Sequence, residues 1–176
     1  MFHAEAADPE QHRPAEAPFV HDVSFIGARF GWRPRLIEGL RRRGLEVACF
    51  GNGWRNGPVS NEEMHLIYAR SRINLGCGGI GHSRKLLCLK GRDFEVPMSG
   101  ALYLTQHNPE LAPLFDIGHE ILTFTDVQDC ARQIRAVLAD PAGAAAMRAA
   151  ARRRSLADHT YEARWSHVFR MLGALA

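Results

Sequence analysis

Arg92 and Glu95 stand three positions apart in the stretch LKGRDFEVPMSGALYLTQHNPEL, residues 89–111. On a helix they share a face, one turn apart, and can address a single ligand. A guanidinium suits a phosphate, and a carboxylate with two acceptor oxygens suits the hydroxyls of a sugar. The stretch predicts a short helix over Arg92 to Ser99 stopped by Gly100, an apolar strand over Ala101 to Thr105, and a second helix opened by Asn108 and Pro109. A strand running directly into a helix start leaves unpaired backbone N–H groups at its C-terminal edge, where open α/β sheets take anions and nucleotides. Pro97 removes one backbone donor inside the first helix, which either bends it or implies a start near Asp93.

Two glycine-rich turns add to this rim. The apolar run Val23 to Ile26 ends in Gly27-Ala28-Arg29-Phe30-Gly31, which departs from the G-x-G-x-x-G fingerprint and is either a close approach for phosphate or a plain tight turn. Arg29 is the candidate cation there, while Arg33 and Arg35 read as solvated charges on the helix Pro34 to Arg43. The strand Arg72 to Leu75 runs into Gly76-Cys77-Gly78-Gly79-Ile80-Gly81, where Gly78 and Gly79 could let a flat base or a sugar lie against backbone; the alternative is a mobile loop. His82, Arg84, Lys85 and Lys90 follow within reach of a diphosphate. The candidate binding set is Gly27, Arg29, Gly78, Gly79, Lys85, Lys90, Arg92 and Glu95, with no catalytic residue assigned.

No Ser/His/Asp arrangement and no C-x-x-C motif competes. The four cysteines lie far apart and read as buried, reduced thiols; the nine histidines are scattered, so no structural metal and no cofactor beyond a substrate is expected.

The elements that must position these residues can be traced in order. Leu45 to Phe50 is a second strand, apolar without alternation as a strand buried on both faces should be. Trp54, in the loop after it, reads as a packed anchor rather than a lid. Ser60 to Glu63 is a capping box before Met64, Ile67 and Tyr68. Ile121 to Phe124 is a fifth strand. Thr125 to Gln128, Asp140-Pro141 and Thr160 open three further helices, the last with Tyr161, Trp165, Val168, Phe169 and Leu172 along one side, read as core. Strands alternating with helices predict an α/β fold, a Rossmann-like, doubly wound parallel sheet of about five strands over residues 22–176. Residues 1–21, rich in Ala, Pro, Glu and His, read as a linker or disordered inter-domain remnant. A phosphoacceptor receiver domain would need a carboxylate cluster where Gly27, Ala28 and Arg29 stand.

At 176 residues the chain suits one well-buried domain rather than two. Its 46% hydrophobic and 23% charged residues are those of a soluble globular protein, and no run approaches the roughly 18 apolar residues of a membrane span. Without a signal-like N-terminus, a cytoplasmic location is expected. The net charge of +3 divides into −4 over the first 22 residues and +7 over the rest. The basic residues are compact clusters, Arg41 to Arg43 and Arg152 to Arg154, at helix C-termini where the dipole favours cations, rather than interleaved with aromatics as in a nucleic-acid surface, so no nucleic-acid partner is expected.

The run from Arg92 through Phe94, Glu95, Gly100, Thr105, Asn108, Pro109, Glu110 and Leu111 resembles the CgeB-type (spore-coat) glycosyltransferase-like domain, related to the group 1 and family 4 glycosyltransferases. Phe115, Gly118 and Glu120, then His159, Thr160, Tyr161 and Arg164, extend the likeness over residues 22–172. The resemblance implies the C-terminal, nucleotide-sugar-binding half of a two-domain GT-B enzyme, with Glu95 accepting hydrogen bonds from the donor's ribose. Ala6 to Pro14 is similar to the segment leading from the first domain into the second. The N-terminal acceptor domain is then the missing partner, and the chain alone an incomplete enzyme. Leu87 stands where related retaining enzymes carry a second Glu. The alternative is a non-catalytic nucleotide-binding or protein-interaction module with the same fold.

Overall fold

The computed structural model describes residues 4–174. Five strands, β1 (His21–Ile26), β2 (Ala48–Phe50), β3 (Ser71–Leu75), β4 (Tyr103–Gln106) and β5 (Leu122–Phe124), form one parallel sheet in the order β2-β1-β3-β4-β5. The register sets Ile26 beside Phe50, Phe25 beside Leu75, and Leu75 beside Leu104. β1 hands the chain to β2 on one side while β3 hands it to β4 on the other. The C-terminal ends of β1 and β3 therefore flank the topological switch point, where a crevice opens in sheets of this kind.

Reversing the direction of travel along the sheet puts right-handed crossovers on opposite faces. On one face, α1 (Arg33–Arg41) and α4 (Val127–Ala139) bury Leu36, Ile37, Leu40, Cys130 and Ile134 against Phe25, Leu75 and Leu104. On the other, α2 (Asn61–Ala69) and α3 (Arg92–Met98) bury Ile67, Tyr68, Phe94, Val96 and Met98 against Ile26 and Tyr103. The capping box holds, with Ser60 Oγ accepting from Glu63 N and Glu63 accepting from Ser60 N. Asp140 caps α5 (Pro141–Asp158) and Thr160 caps α6 (Tyr161–Met171).

Several expectations change. The helix expected from Asn108 and Pro109 is a single 3-10 turn, Pro109–Leu111, after which the chain turns towards β5. β2 is shorter than expected, because only Ala48 to Phe50 pair with β1. Pro97 lies in the last turn of a seven-residue helix beginning at Arg92. No residue of α6 is buried: Tyr161, Trp165, Phe169 and Leu172, read as core, are each 44–69% exposed. The amphipathic spacing is present, but these side chains stay largely exposed.

Residues 4–20 form no helix or strand, and they are packed rather than free. Ala4, Ala6, Ala7 and His12 are buried, Ala7 N donates to His159 O (2.9 Å), and His12 O accepts from Arg152 (2.8 Å). Among the described residues no helix is long and apolar enough to cross a membrane.

Candidate functional site

The two glycine turns singled out in the sequence emerge side by side at the switch point, Gly27 from β1 and Gly76 to Gly79 from β3. Gly76 is required by crowding: a Cβ there would overlap the Tyr103 hydroxyl and Thr105 Oγ1. Those hydroxyls belong to a buried polar cluster. Asp93, 3% exposed, accepts from the Tyr103 hydroxyl (2.6 Å) and from Lys90 N (2.7 Å). Burial pushes the Asp93 carboxyl up, against the pull of those donors, and pushes Tyr103 well above the usual phenol. Asp93 thus fixes the entry of α3 and aims the residues on either side of it.

Arg92, the residue before Asp93, turns towards β1. Its Nη1 lies 3.2 Å from where a Cβ would stand on Gly27, and its buried Nε has no hydrogen-bond partner among the described residues. Burial opposes the charge, but Tyr68, Tyr103 and Glu95 around it outweigh burial and hold the guanidinium above its ordinary value. Arg92 is therefore a permanent cation at the switch point with donor capacity to spare.

Glu95 follows one turn later. Its Oε2 accepts a long bond of 3.4 Å from the Tyr68 hydroxyl, near the limit at which such a contact counts. Burial, opposed by the charge of Arg92 and aided by that of Glu95, pushes Tyr68 up to about 12, so this phenol stays a donor at neutral pH. The carboxylate also faces a polar cavity of about 270 Å³ lined by Asp8, His12, His65 and Tyr161. The rings of His12 and His65 meet edge to face at 4.8 Å, and the Nδ1 of each has no hydrogen-bond partner among the described residues. Burial, then the charge of His65, lowers the pKa of His12.

Residues 78–88 fold into an arm rather than a mobile loop. Cys88 N donates to Gly78 O (3.0 Å), Ile80 N to Leu86 O (2.9 Å), and Gly79 bridges Leu87. The arm lies on the turn after β1: the Phe30 and His82 rings are 4.8 Å apart, and the Arg84 guanidinium stands 5.2 Å from the Trp32 ring centre. A Cβ on Gly79 would come within 3.0 Å of Trp32 Nε1, so that glycine admits packing against Trp32 rather than an open face for a base.

Of the eight candidate residues, the structure brings Arg92 against Gly27 and puts Gly78 on the neighbouring turn after β3, while Lys90 precedes α3 and Glu95 lies one turn into it, towards Tyr68. Lys85 is exposed on the arm. Arg29 is turned away: its guanidinium lies 5.6 Å from the Trp54 ring centre, in a cleft whose lining includes neither Gly27 nor Arg92. Trp54 is an anchor, as its type and setting predict, with Nε1 donating to Gly27 O (2.8 Å). Arg33 is not a solvated charge. It donates to Ala28 O (3.1 Å) and packs over Phe25 at 5.7 Å, bracing the turn from below.

Sequence reasoning missed Tyr68, Tyr103, His12 and His65. The His65/Tyr68 spacing, one turn on α2, could have marked a shared polar face; the burial of Tyr103 by Asp93 has no local signal. Among the described residues no group of three or more His, Cys, Asp or Glu side chains is placed to hold a metal.

A family model described as "Glycosyl transferase-like" matches residues 33–170. A search of curated proteins finds no match. Among solved structures, sucrose-phosphate synthase of Thermosynechococcus elongatus aligns with 98% of this chain and 52% of its own at a TM-score of 0.74 and 14% identity. HepE of Anabaena, solved with UDP and also with UDP-glucose, aligns with UDP bound over 97% of this chain and 56% of its own at 0.76 and 11%. The C-terminal domain of the group 1 glycosyl transferase LpcC of Francisella tularensis aligns with 88% of this chain and 99% of its own at 0.58 and 9%. This chain spans about half the length of the first two. At such identities the likeness is one of fold, the Rossmann-like C-terminal domain of GT-B proteins.

Proposed function

The chain belongs to the glycosyl transferase-like family, and from that premise we propose that it is the donor-binding domain of a GT-B glycosyltransferase, of the CgeB type, that takes a nucleoside diphosphate sugar at the switch point between β1 and β3. The observation that carries this reading is the placement of Arg92: a half-buried, permanently charged guanidinium against Gly27, with a buried Nε that has no hydrogen-bond partner among the described residues. The diphosphate lies over Gly27 and Gly78, with Arg92 and Lys90 as its cations. Glu95, holding one long bond, keeps acceptor capacity for the ribose hydroxyls.

In the reaction this site would support, the bond between the sugar's anomeric carbon and the diphosphate oxygen breaks and its electron pair stays on the diphosphate. The acceptor hydroxyl forms the new bond and releases its proton. Arg92 and Lys90 stabilise the charge growing on the leaving group, and preorganised charges of this kind do most to lower such a barrier. The acceptor and any general base for it come from the acceptor-binding half of a GT-B enzyme rather than from this Rossmann-like unit.

One observation favours the alternative of a binding module without transfer activity. Leu87, where related retaining enzymes carry a carboxylate, is tied into the bridge with Gly79. The test of the donor reading is a shift-perturbation titration with UDP, GDP and their glucose conjugates. Perturbations gathered on Gly27, Gly78 and residues 90–95 support it, and perturbations confined to α5 and α6 sink it.

A further inference from the structure

A second cleft, of about 670 Å³, lies outside the switch point, between α1 and the loop that follows β2. Its walls carry Arg29, Arg35, Arg41, Arg42 and Arg55 against one carboxylate, Glu38. Its floor is apolar, from Ile37 and Val47. Arg41 and Arg42 are engaged in surface ion pairs, with Glu46 at 3.7 Å and Glu38 at 3.6 Å; Arg29, Arg35 and Arg55 have none among the described residues.

The helix dipole accounts for cations in the last turn of α1, which means Arg41 and the adjoining Arg42. It does not account for the others. Arg35 is in the first turn of α1, where the dipole disfavours a cation. Arg29 comes from the turn after β1 and Arg55 from the loop after β2. Three separated segments thus bring like charges to one concavity, an arrangement that costs self-repulsion unless an anion relieves it. Each guanidinium offers a planar fork matched to phosphoryl oxygens. The volume is that of a small-molecule site rather than a track for a polymer.

We propose that this arginine cleft is a second anion site, separate from the donor site, which takes a small ligand carrying at least two phosphoryl groups. The Trp54 ring, held by its bond to Gly27 O and capped by Arg29, forms the wall nearest the donor turn and keeps the sites apart. Free polyphosphate and the diphosphate of a nucleotide share this chemistry, and the test separates them.

The experiment titrates the full chain with inorganic tripolyphosphate and, in a second arm, with UDP, in about 0.15 M salt to suppress loose surface attraction. NMR follows the Nε signals of Arg35 and Arg55, the Asn56 amide, and the Gly78 and Arg92 signals. Saturable tripolyphosphate shifts at Arg35, Arg55 and Asn56, persisting when UDP is already bound, support the proposal. The exposed double variant Arg35→Gln/Arg55→Gln should weaken tripolyphosphate by roughly tenfold or more, given the loss of two charge-assisted contacts, while UDP shifts at Gly78 and Arg92 are unchanged. The proposal is overturned if tripolyphosphate binding is unsaturable or unaffected by the double variant, or if single-stranded RNA competes more tightly than either; UDP displacing tripolyphosphate at Arg35, Arg55 and Asn56 supports it and makes the nucleotide diphosphate, rather than free polyphosphate, the ligand of the cleft. Failure of UDP to shift Gly78 and Arg92 would count against the donor site alone.

Discussion

The guanidinium of Arg92 rests against Gly27, with Nη1 3.2 Å from the position a Cβ would occupy. The contact joins the start of α3 to the end of β1 across the switch point, and it exists because position 27 has no side chain. Gly27 also has φ +150°, and a Cβ on Gly51 would lie 2.6 Å from its carbonyl.

Gly27→Ala should therefore both displace Arg92 and strain the backbone. A destabilisation of about 1–3 kcal/mol is expected from the backbone alone, measured by urea unfolding, with UDP affinity falling in parallel. A variant with wild-type stability and affinity would show that the close approach is incidental.

His159 is 1% exposed, with Nε2 2.9 Å from Leu114 O and Nδ1 2.7 Å from Arg164. Burial first, then the Arg164 charge, lowers its pKa from 6.5. The unfolded chain takes up this proton before the folded one does, so stability is full above about 6.5 and is lost as pH falls towards the folded value. His159→Gln keeps a donor for Leu114 O and should flatten the decline between neutral pH and about pH 5. An unchanged slope in the variant would assign the decline to other groups.

Asp93 has the opposite sign. Its folded pKa is raised above 3.8 by burial, so its contribution is fully present below that value and diminishes as pH rises through the folded one. Asp93→Asn should remove this component, so the difference in stability between wild type and variant changes with pH above about 4. A pH-independent difference across that range would contradict the assignment.

The strand and helix alternation, the two glycine turns and the Arg92/Glu95 pair were legible because periodicity, glycine placement and one-turn spacing are local signals. What the sequence could not convey is which groups meet across the sheet. Arg33 looks like any helix charge until Ala28 O and the Phe25 ring are brought beneath it. Arg29 looks like a donor-site cation until Trp54 draws it to the outer cleft. The apolar face of α6 shows that a period marks a face for burial without saying what covers it.

That face yields a further expectation. Phe169 and Leu172 are 44% and 69% exposed, so Phe169→Ser/Leu172→Ser should change folding stability by only about 0.5 kcal/mol per site. Self-association of the chain, followed by analytical ultracentrifugation, should fall. A large loss of stability with no change in association would mean the face is structural.

The most direct test of the donor site is the affinity of Glu95→Gln for UDP beside the 2′,3′-dideoxy nucleotide. A carboxylate that accepts from both ribose hydroxyls loses about 1–3 kcal/mol of binding when one oxygen becomes a donor. The expected result is a weakened UDP complex, a dideoxy complex equal in wild type and variant, and an unchanged melting temperature. A variant that melts lower while binding UDP as tightly as wild type would make Glu95 a structural partner of Tyr68 and would contradict the donor site.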